Sequence, residues 1–559
     1  MADTSTLGSL LQGVSQQPPH IRGDGRNTLQ ENILSHTTRG LTSRPGTAVI
    51  QRITGLPTDM QFSRFRLGGE VFQIGTKTGE ISIINEQGVA QTVNASPEAL
   101  AYVQDDMVVY VYDNKETAAT FLLNRDMITT MDTDTSAQEA DVVTDIGLIT
   151  SLGGLFSHTY TVHVETDAGV VYTGTYEAPD GLTDGDAAKT TSDYIISQLS
   201  ISLNALTLPA GVTVSAANSV LMIRGMTNIR ISTEDGSGGD TLVFQTNVSK
   251  STEELANHAP HGTLVRVIGL DGTEDDFYMR FEVAEEDTVG NGFGSEGLWR
   301  EWFNPFEQTA FDASTMPHSI TRENDDSFTI APVGWEQRRV GDNDTNPVPG
   351  FIGKAIRDVN GFQSRVVVVA GAVTNMAVTN EPFNFFKQSA VAEVDTDPIE
   401  IISTAPGEFS LQYIVPFDRD LVIFGDENQF HIAGGSGLTF RNASMTQTTD
   451  YEMAKGTRPS STGRTVLFPF SIGTYSGIKE FYSTNTVDAN SAVTITENIP
   501  EYITGAVTDI QISTNFNIAF IRTDDPDHGN RVWVYKYLWD GENKLQSSWS
   551  LWDMSQDVV

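Results

Sequence analysis

Aromatic residues stand at alternate positions in Trp533, Tyr535, Tyr537 and Trp539, an Asp-Gly pair follows, and a second run then brings Trp549 and Trp552. A period of two sends successive side chains to opposite faces of an extended strand, and Asp-Gly suits the tight turn of a hairpin. The stretches EVFQIGTKTGEISIINEQG (Glu70 to Gly88), DDMVVYVYDNKETAATFLL (Asp105 to Leu123) and RDLVIFGDENQFHIAGGSG (Arg419 to Gly437) repeat this plan. A hairpin cannot bury its face alone, so a series of them implies sandwiches, barrels or the radial blades of a propeller. The expected fold is mainly β: a propeller-like body built from discontinuous hairpins. The repeats are too degenerate to fix a period, and four or five blades are expected.

One region breaks the plan. Between Asp126 and Ala188 there is no Lys or Arg but there are 12 Asp or Glu. Within and beyond it, His158 to Ala178 alternates like a hairpin. Thr190 to Leu206 has apolar residues near helical spacing, and Gly211 to Met226 returns to strands. This order predicts an inserted α+β lobe. Long loops rich in Gly, Asn, Asp, Pro and aromatics occupy residues 287–360, and loops of that length inside a folded body cover something or contact a neighbour. Four parts result: 1–66, an N-terminal docking or platform segment; 67–125, the first part of the body; 126–255, the acidic lobe; and 256–559, the remainder of the body.

The chain of 559 residues has a net charge of -39, which argues against general nucleic-acid binding, because affinity for phosphate comes from cations that displace counterions. The charge is uneven. Met1 to Arg66 holds seven arginines (Arg22, Arg26, Arg39, Arg44, Arg52, Arg64 and Arg66) against four acids, so the N-terminal section is the basic pole. These arginines either pair with acids of their own fold or form a docking segment for an acidic partner. There is no cysteine, which excludes disulfides and thiolate sites. No run approaches the roughly 20 apolar residues of a membrane span, and the N-terminus lacks the pattern of a signal peptide, so a soluble chain made in the cytoplasm is expected.

Motifs for chemistry are missing. The run Asp132 to Asp141 has Ala137 where a calcium loop needs glycine and is followed by Val143 where it needs a bidentate Glu. STEDGSGGDTLVF lacks the Lys-Ser/Thr of a phosphate cradle, and GTYSG misplaces its serine for a nucleophile elbow. The histidines, His318 and His431 among them, show no metal-ligand spacing. No cofactor, metal or enzymatic activity is expected.

The opening GVSQQPPHIRGDGRNTLQENILSHTTRGLTSRPG resembles the start of the nozzle, or tail tubular, proteins of T7-like short-tailed phages (podoviruses). TMPHSITRENDDSF, VGDNDTNPVPGFIGKAIRDV, NEPFNFF, the stretch from Asp395 to Ile432 and VWVYKYLWDGENKLQSSWSLWDM resemble later landmarks of that family in the same order. Between about Asp126 and Asn247 the likeness is weak. Members of the family run further past SSWSLWDM, so a shortened chain is expected, with DVV at its end reading as the start of another strand.

The resemblance implies a structural protein of the virion tail, assembled in the host cytoplasm. Six copies would form a ring below a dodecameric adapter or gatekeeper. Double-stranded DNA would pass through the lumen without specific binding, and tail fibres would attach at the junction of the rings. An acidic lining would repel the duplex over only about 8 Å at ~0.15 M salt. Acidic subunits also repel one another, so the arginines are expected to supply the positive patch that meets a neighbour or the adapter. Gln16, Gln17 and Pro18 match the N-terminal landmark and, with Arg22, Arg26, Arg39, Arg44 and Pro45, form the expected docking set. Asp342, Asp344, Asn346 and Pro347 match another landmark and are expected to form a turn locked by Asx hydrogen bonds. Trp533, Tyr535, Tyr537, Trp539, Trp549 and Trp552 are expected to pack a blade core, with a glycan- or fibre-binding groove as the other reading. The alternative function is a host-surface propeller that binds or degrades polysaccharide.

Overall fold

The computed structural model describes residues 10–554 apart from 48–52, 54–55, 58–59, 114–117, 167, 226–228, 270–274, 285–292, 404–408, 418, 436, 484–489 and 542; Arg52 and the DVV run lie outside the described residues. Six small sheets form the body. The first holds Gln61–Leu67, Glu70–Lys77 and Glu80–Asn85. The second is assembled from distant parts of the chain, in the order Val93–Ala95, Phe328–Pro332, His318–Arg322, Ala118–Asn124, Met107–Asp113. The third (Asp358 to Ile402), fourth (Leu411 to Thr449) and sixth (Val507 to Asp553) are four-stranded antiparallel meanders. The fifth runs from Ser460 to Thr494 and gains a short strand, Ile503–Thr504.

Period-two alternation holds the series together. In Arg365–Ala370, Val366 and Val368 join a core with Phe121 of the second sheet, while Val367 and Val369 join one with Ile414 and Ile423 of the fourth. In the fifth sheet Val466 and Phe468 pack on Phe424 of the fourth, and Leu467 packs on Trp533 and Tyr535 of the sixth. Each such sheet is buried on both faces, which is why its strands read as continuous apolar runs. The expectation of four or five blades is therefore corrected to six sheets in the body among the described residues. The four hairpins visible in the sequence belong to the first, second, fourth and sixth sheets. RVVVVA and VLFPF carry no polar alternation to mark the other two.

The sheets also meet at a buried polar knot. Asp358, wholly buried, accepts the Ile414 N–H of the fourth sheet (2.7 Å) and Arg458 Nη1 from just before the fifth (2.8 Å). Arg125, at the end of a strand of the second sheet, donates to the Tyr413 hydroxyl (2.9 Å), the Arg357 carbonyl (2.9 Å) and Gln412 Oε1 (3.1 Å). Burial pushes the Asp358 carboxyl up, and Arg458 and the Ile414 amide oppose the shift.

Three further sheets are inserted between the second sheet's two halves. Val171–Glu177, Thr159–Glu165 and Arg230–Glu234 form one; Thr213–Ala217, Val220–Arg224, Ile146–Ser151 and Leu242–Gln245 form another. The helix Ser192–Asn204 lays Ile195, Ile196, Leu199 and Leu203 on the core they share. The third sheet of the insertion, Val248 to Trp302, packs Phe281 and Val283 against Ile146, Leu148 and Val220. Ala256, Ala259, Phe281 and Val283, grouped with the body from sequence, thus share a core with the insertion. Asp235, buried in its loop, accepts from the N–H groups of Ser237, Gly239, Thr241 and Leu242 and from the Thr241 hydroxyl. Burial pushes its carboxyl up, but these hydrogen bonds outweigh burial and hold it well below the ordinary range.

Two predictions follow from these buried acids. Asp358→Ala leaves Arg458 and the Ile414 N–H without their acceptor and should cost about 3–5 kcal/mol in chemical denaturation. A depressed carboxyl stabilises the fold above its unfolded pKa of about 3.9. The contribution of Asp235 should therefore be intact at neutral pH and fade as pH falls below that value, and Asp235→Asn should remove this component from acid-unfolding curves.

Candidate interface built by the N-terminal segment

Residues 10–46 lie against the chain's own sixth sheet. The Val14 N–H reaches the Trp549 carbonyl (3.1 Å), the Asn32 N–H reaches the Leu551 carbonyl (2.7 Å), and the Leu551 N–H reaches the Gln30 carbonyl (2.9 Å). These bonds occupy the edge strand Asn543–Asp553, whose backbone groups would otherwise be open to another chain. Gly13 sits at φ +73°, and a Cβ there would lie 2.4 Å from the Trp549 nitrogen. Asn32 adopts φ 55°, and its side-chain oxygen accepts from the Asp553 N–H (3.1 Å) and Arg44 Nε (2.7 Å). Beneath them Gln30, Ser35 and Gln546, all buried, are linked by Gln30 Nε2 to the Ser35 hydroxyl and Gln546 Nε2 to the Ser35 carbonyl, both 2.9 Å.

The docking set divides by what it touches. The Gln16 N–H donates to the Asn498 carbonyl, and Gln16 Oε1 accepts from the Glu501 N–H. The Gln17 N–H bonds the Ser15 hydroxyl, and Pro18 opens the turn closed by the Ile21 and Arg22 N–H groups. Arg22 Nη2 donates to the Gln17 carbonyl (2.8 Å). Arg26 donates to the Asn498 amide oxygen when that amide is turned toward it. Arg44 lies 6.0 Å from the Trp552 ring centroid, and Pro45, just after it, is exposed. None of Arg22, Arg26 and Arg44 is ion-paired to a carboxylate among the described residues. Arg39 stands on the turn between Ile33–His36 and Gly40–Ser43, exposed, with no partner for its guanidinium among the described residues. Exposed Ile21, Leu29 and Leu41 belong to the same segment.

The aromatics separate by face. Trp533, Tyr535, Tyr537 and Trp549 fill the core between the fifth and sixth sheets, with Trp539 at its margin. Trp552 turns the other way, edge-on to Phe520 and beside Leu34 of the N-terminal hairpin. Far from this segment, Asp342 Oδ1 accepts from the Asp344 and Thr345 N–H groups and the Thr345 hydroxyl, all at 3.0 Å. Asn346 bridges the Val340 and Lys387 backbones, and Pro347 follows it. Wholly buried Arg338 ties this turn to Glu307 (2.9 Å). The stretch 287–360, read from sequence as long loops, instead contains the strands Gly297–Trp302, His318–Arg322 and Phe328–Pro332, and the connections around them carry Phe311, Trp335 and Phe351 into the core between the second and third sheets.

Gly13 and Asn32 were invisible from sequence as contact residues, because their partners lie more than 500 positions away and no local pattern encodes such a pairing. Gly13→Ala combines a left-handed backbone with a backbone clash and should cost about 3 kcal/mol. Gly40→Ala, at φ +72° with open space around it, should cost about 1 kcal/mol. Hydrogen exchange of the Val14 and Asn32 amides should rise only in the Gly13 variant.

The chain is 26% identical over 581 residues to the tail tubular protein gp12 of Escherichia phage T7, covering 99% of this chain and 69% of that relative. Among solved structures, a Lactobacillus plantarum protein overlaps 60% of this chain and 95% of its own at 10% identity and a TM-score of 0.26. The Neurospora crassa Pan2 WD40 domain overlaps 42% of this chain and 72% of its own at 7% identity and a TM-score of 0.21. Overlaps that weak say nothing about how the sheets are arranged. The bacteriophage nozzle protein family matches residues 2–559, nearly the whole chain, and the protein belongs to that family.

Proposed function

We propose that the chain is a structural, non-enzymatic subunit of the nozzle in a short phage tail. Six copies form a ring beneath a twelve-membered adapter, double-stranded DNA leaves through the bore, and tail fibres seat at the junction of the two rings. The family match over residues 2–559 carries this reading. A net charge of -39 supports it, since a basic bore would hold the duplex by counterion release. The docking role falls on Arg39 and the exposed Ile21, Leu29 and Leu41, because Arg22, Arg26 and Arg44 already serve their own fold. Of the four parts of the chain, the docking segment ends before Gln61, where the first sheet of the body begins, and the inserted lobe extends to Trp302.

The polysaccharide alternative needs a cleft with converging free carboxylates. A cleft between the first two sheets has Asp113 as its one lining carboxylate among the described residues. A smaller one beside Glu336 and Glu381 has both acids engaged, by Arg339 and by Asn384 and Gln388.

Cryo-electron microscopy of the tail without imposed symmetry should show a sixfold ring around an axial channel with the Arg39 hairpin at a junction. Isolated peripheral copies would sink the reading. Arg39→Glu should leave monomer stability within about 0.5 kcal/mol and weaken assembly, as measured by sedimentation.

A further inference from the structure

The cleft between the first and second sheets has a volume of about 1060 Å³ and an apolar floor that includes Phe65, Val111, Ile320 and Phe383. Three arginines line it. Arg322 is paired with Glu70 and Asp326. Arg64 and Arg66, exposed and on one face of the Gln61–Leu67 strand, have no partner for their guanidinium groups among the described residues. Among the described lining residues Asp113 is the one carboxylate, and with Arg322 answered by Glu70 and Asp326 the charges left at the mouth are Arg64 and Arg66 against Asp113.

The inserted lobe carries an exposed apolar tip flanked by acids. Leu182 is 87% exposed at the tip of the loop Asp180–Gly185, and Leu155 and Phe156 are exposed nearby. The tip is held rigid from within. The Asp180 carboxylate accepts the Leu182 N–H (3.1 Å), buried Asp186 accepts the Thr183 N–H (3.0 Å), and Gly181 lies so close to the Phe156 ring that a Cβ would sit 2.9 Å from it. Asp180 and Asp184 flank the leucine, and Asp184 has no partner among the described residues. Gly181, beside Leu182, lies on the exposed Phe156 ring, so the tip is a small apolar cluster bracketed by carboxylates.

We propose that the Asp180–Asp184 tip of one subunit seats in the Arg64/Arg66 cleft of the next. Leu182 lies on the apolar floor and the two aspartates face the two arginines. The inference rests on the ring reading and deepens it. Knob and cleft are different surfaces of one chain, so the contact is heterologous, head to tail, which is the kind that closes rings when the rotation permits. It also gives an acidic chain a place where neighbours attract, because carboxylates here meet the few uncommitted cations.

The absence of cysteine makes a clean test possible. The full chain carrying Leu182→Cys and Arg66→Cys is assembled, oxidised and run on a denaturing gel, with ring formation followed independently by sedimentation and electron microscopy. Cross-linked species rising in a ladder to ring size support the proposal. Rings that assemble without cross-links, or cross-links that stay within a monomer, overturn it while leaving the ring reading intact. Wild-type chain that forms no ring with its tail partners overturns the ring reading and this contact with it. Separately, Arg66→Glu and Asp184→Arg should each weaken assembly at least about tenfold, and the double variant should recover it. Failure of that recovery, with both single variants folded by circular dichroism, counts against the contact.

Discussion

A sheet whose two faces are both apolar cannot be the last of its row. That constraint governs the body of this protein, where Val366 and Val367, or Leu467 and Phe468, send neighbouring side chains into different cores. Each sheet borrows a partner, and the row has to be finished off somehow. At the sixth sheet the N-terminal segment does this. Its backbone takes up the edge of Asn543–Asp553, and Leu34 covers part of the outer face with Val532, Val534 and Trp552. Edge and face are covered by one stretch of chain, which satisfies hydrogen bonds and apolar burial together.

The same segment accounts for much of the basic pole. Most of its arginines donate to carbonyl and amide oxygens, where the planar guanidinium can satisfy several acceptors at once, rather than to carboxylates. Arg125, Arg338 and Arg365 do similar work in the body, Arg365 donating to the carbonyls of Ala377, Asp395, Thr396 and Asp397. In a chain with so few cations, most are spent on internal architecture. Arg39, Arg64 and Arg66 are among the few whose side chains remain uncommitted among the described residues.

Legibility followed the range of the interaction. The hairpins at Glu70, Asp105, Arg419 and Asn530, the helix near Thr190 and the strands of the inserted lobe were readable because period and turn chemistry are local. The number of sheets was not, because strands buried on both faces lose their alternation. The core shared by Phe281, Val283 and the insertion escaped notice for a related reason: nothing in either residue says which apolar surface it meets. At the candidate interface the residue types could be picked out but their targets could not. Arg44 and Arg39 look alike in sequence, and only the Asn32 oxygen against Arg44 Nε separates an internal brace from an available cation.

The pairing of residues 12–35 with 545–553 also orders events in time. On the ribosome the Gly13 and Asn32 backbones emerge first, and their partners at Trp549 and Leu551 follow only after more than 500 further residues, about half a minute or more at roughly 5–20 residues per second. Until then the segment has no sheet to lie on and its hairpin lacks the surface that positions Arg39. A nascent or broken chain that lacks its sixth sheet therefore has no surface on which this segment can settle. The N-terminal segment thus reaches its folded place only once synthesis has run at least to Asp553, and a truncated chain keeps it loose.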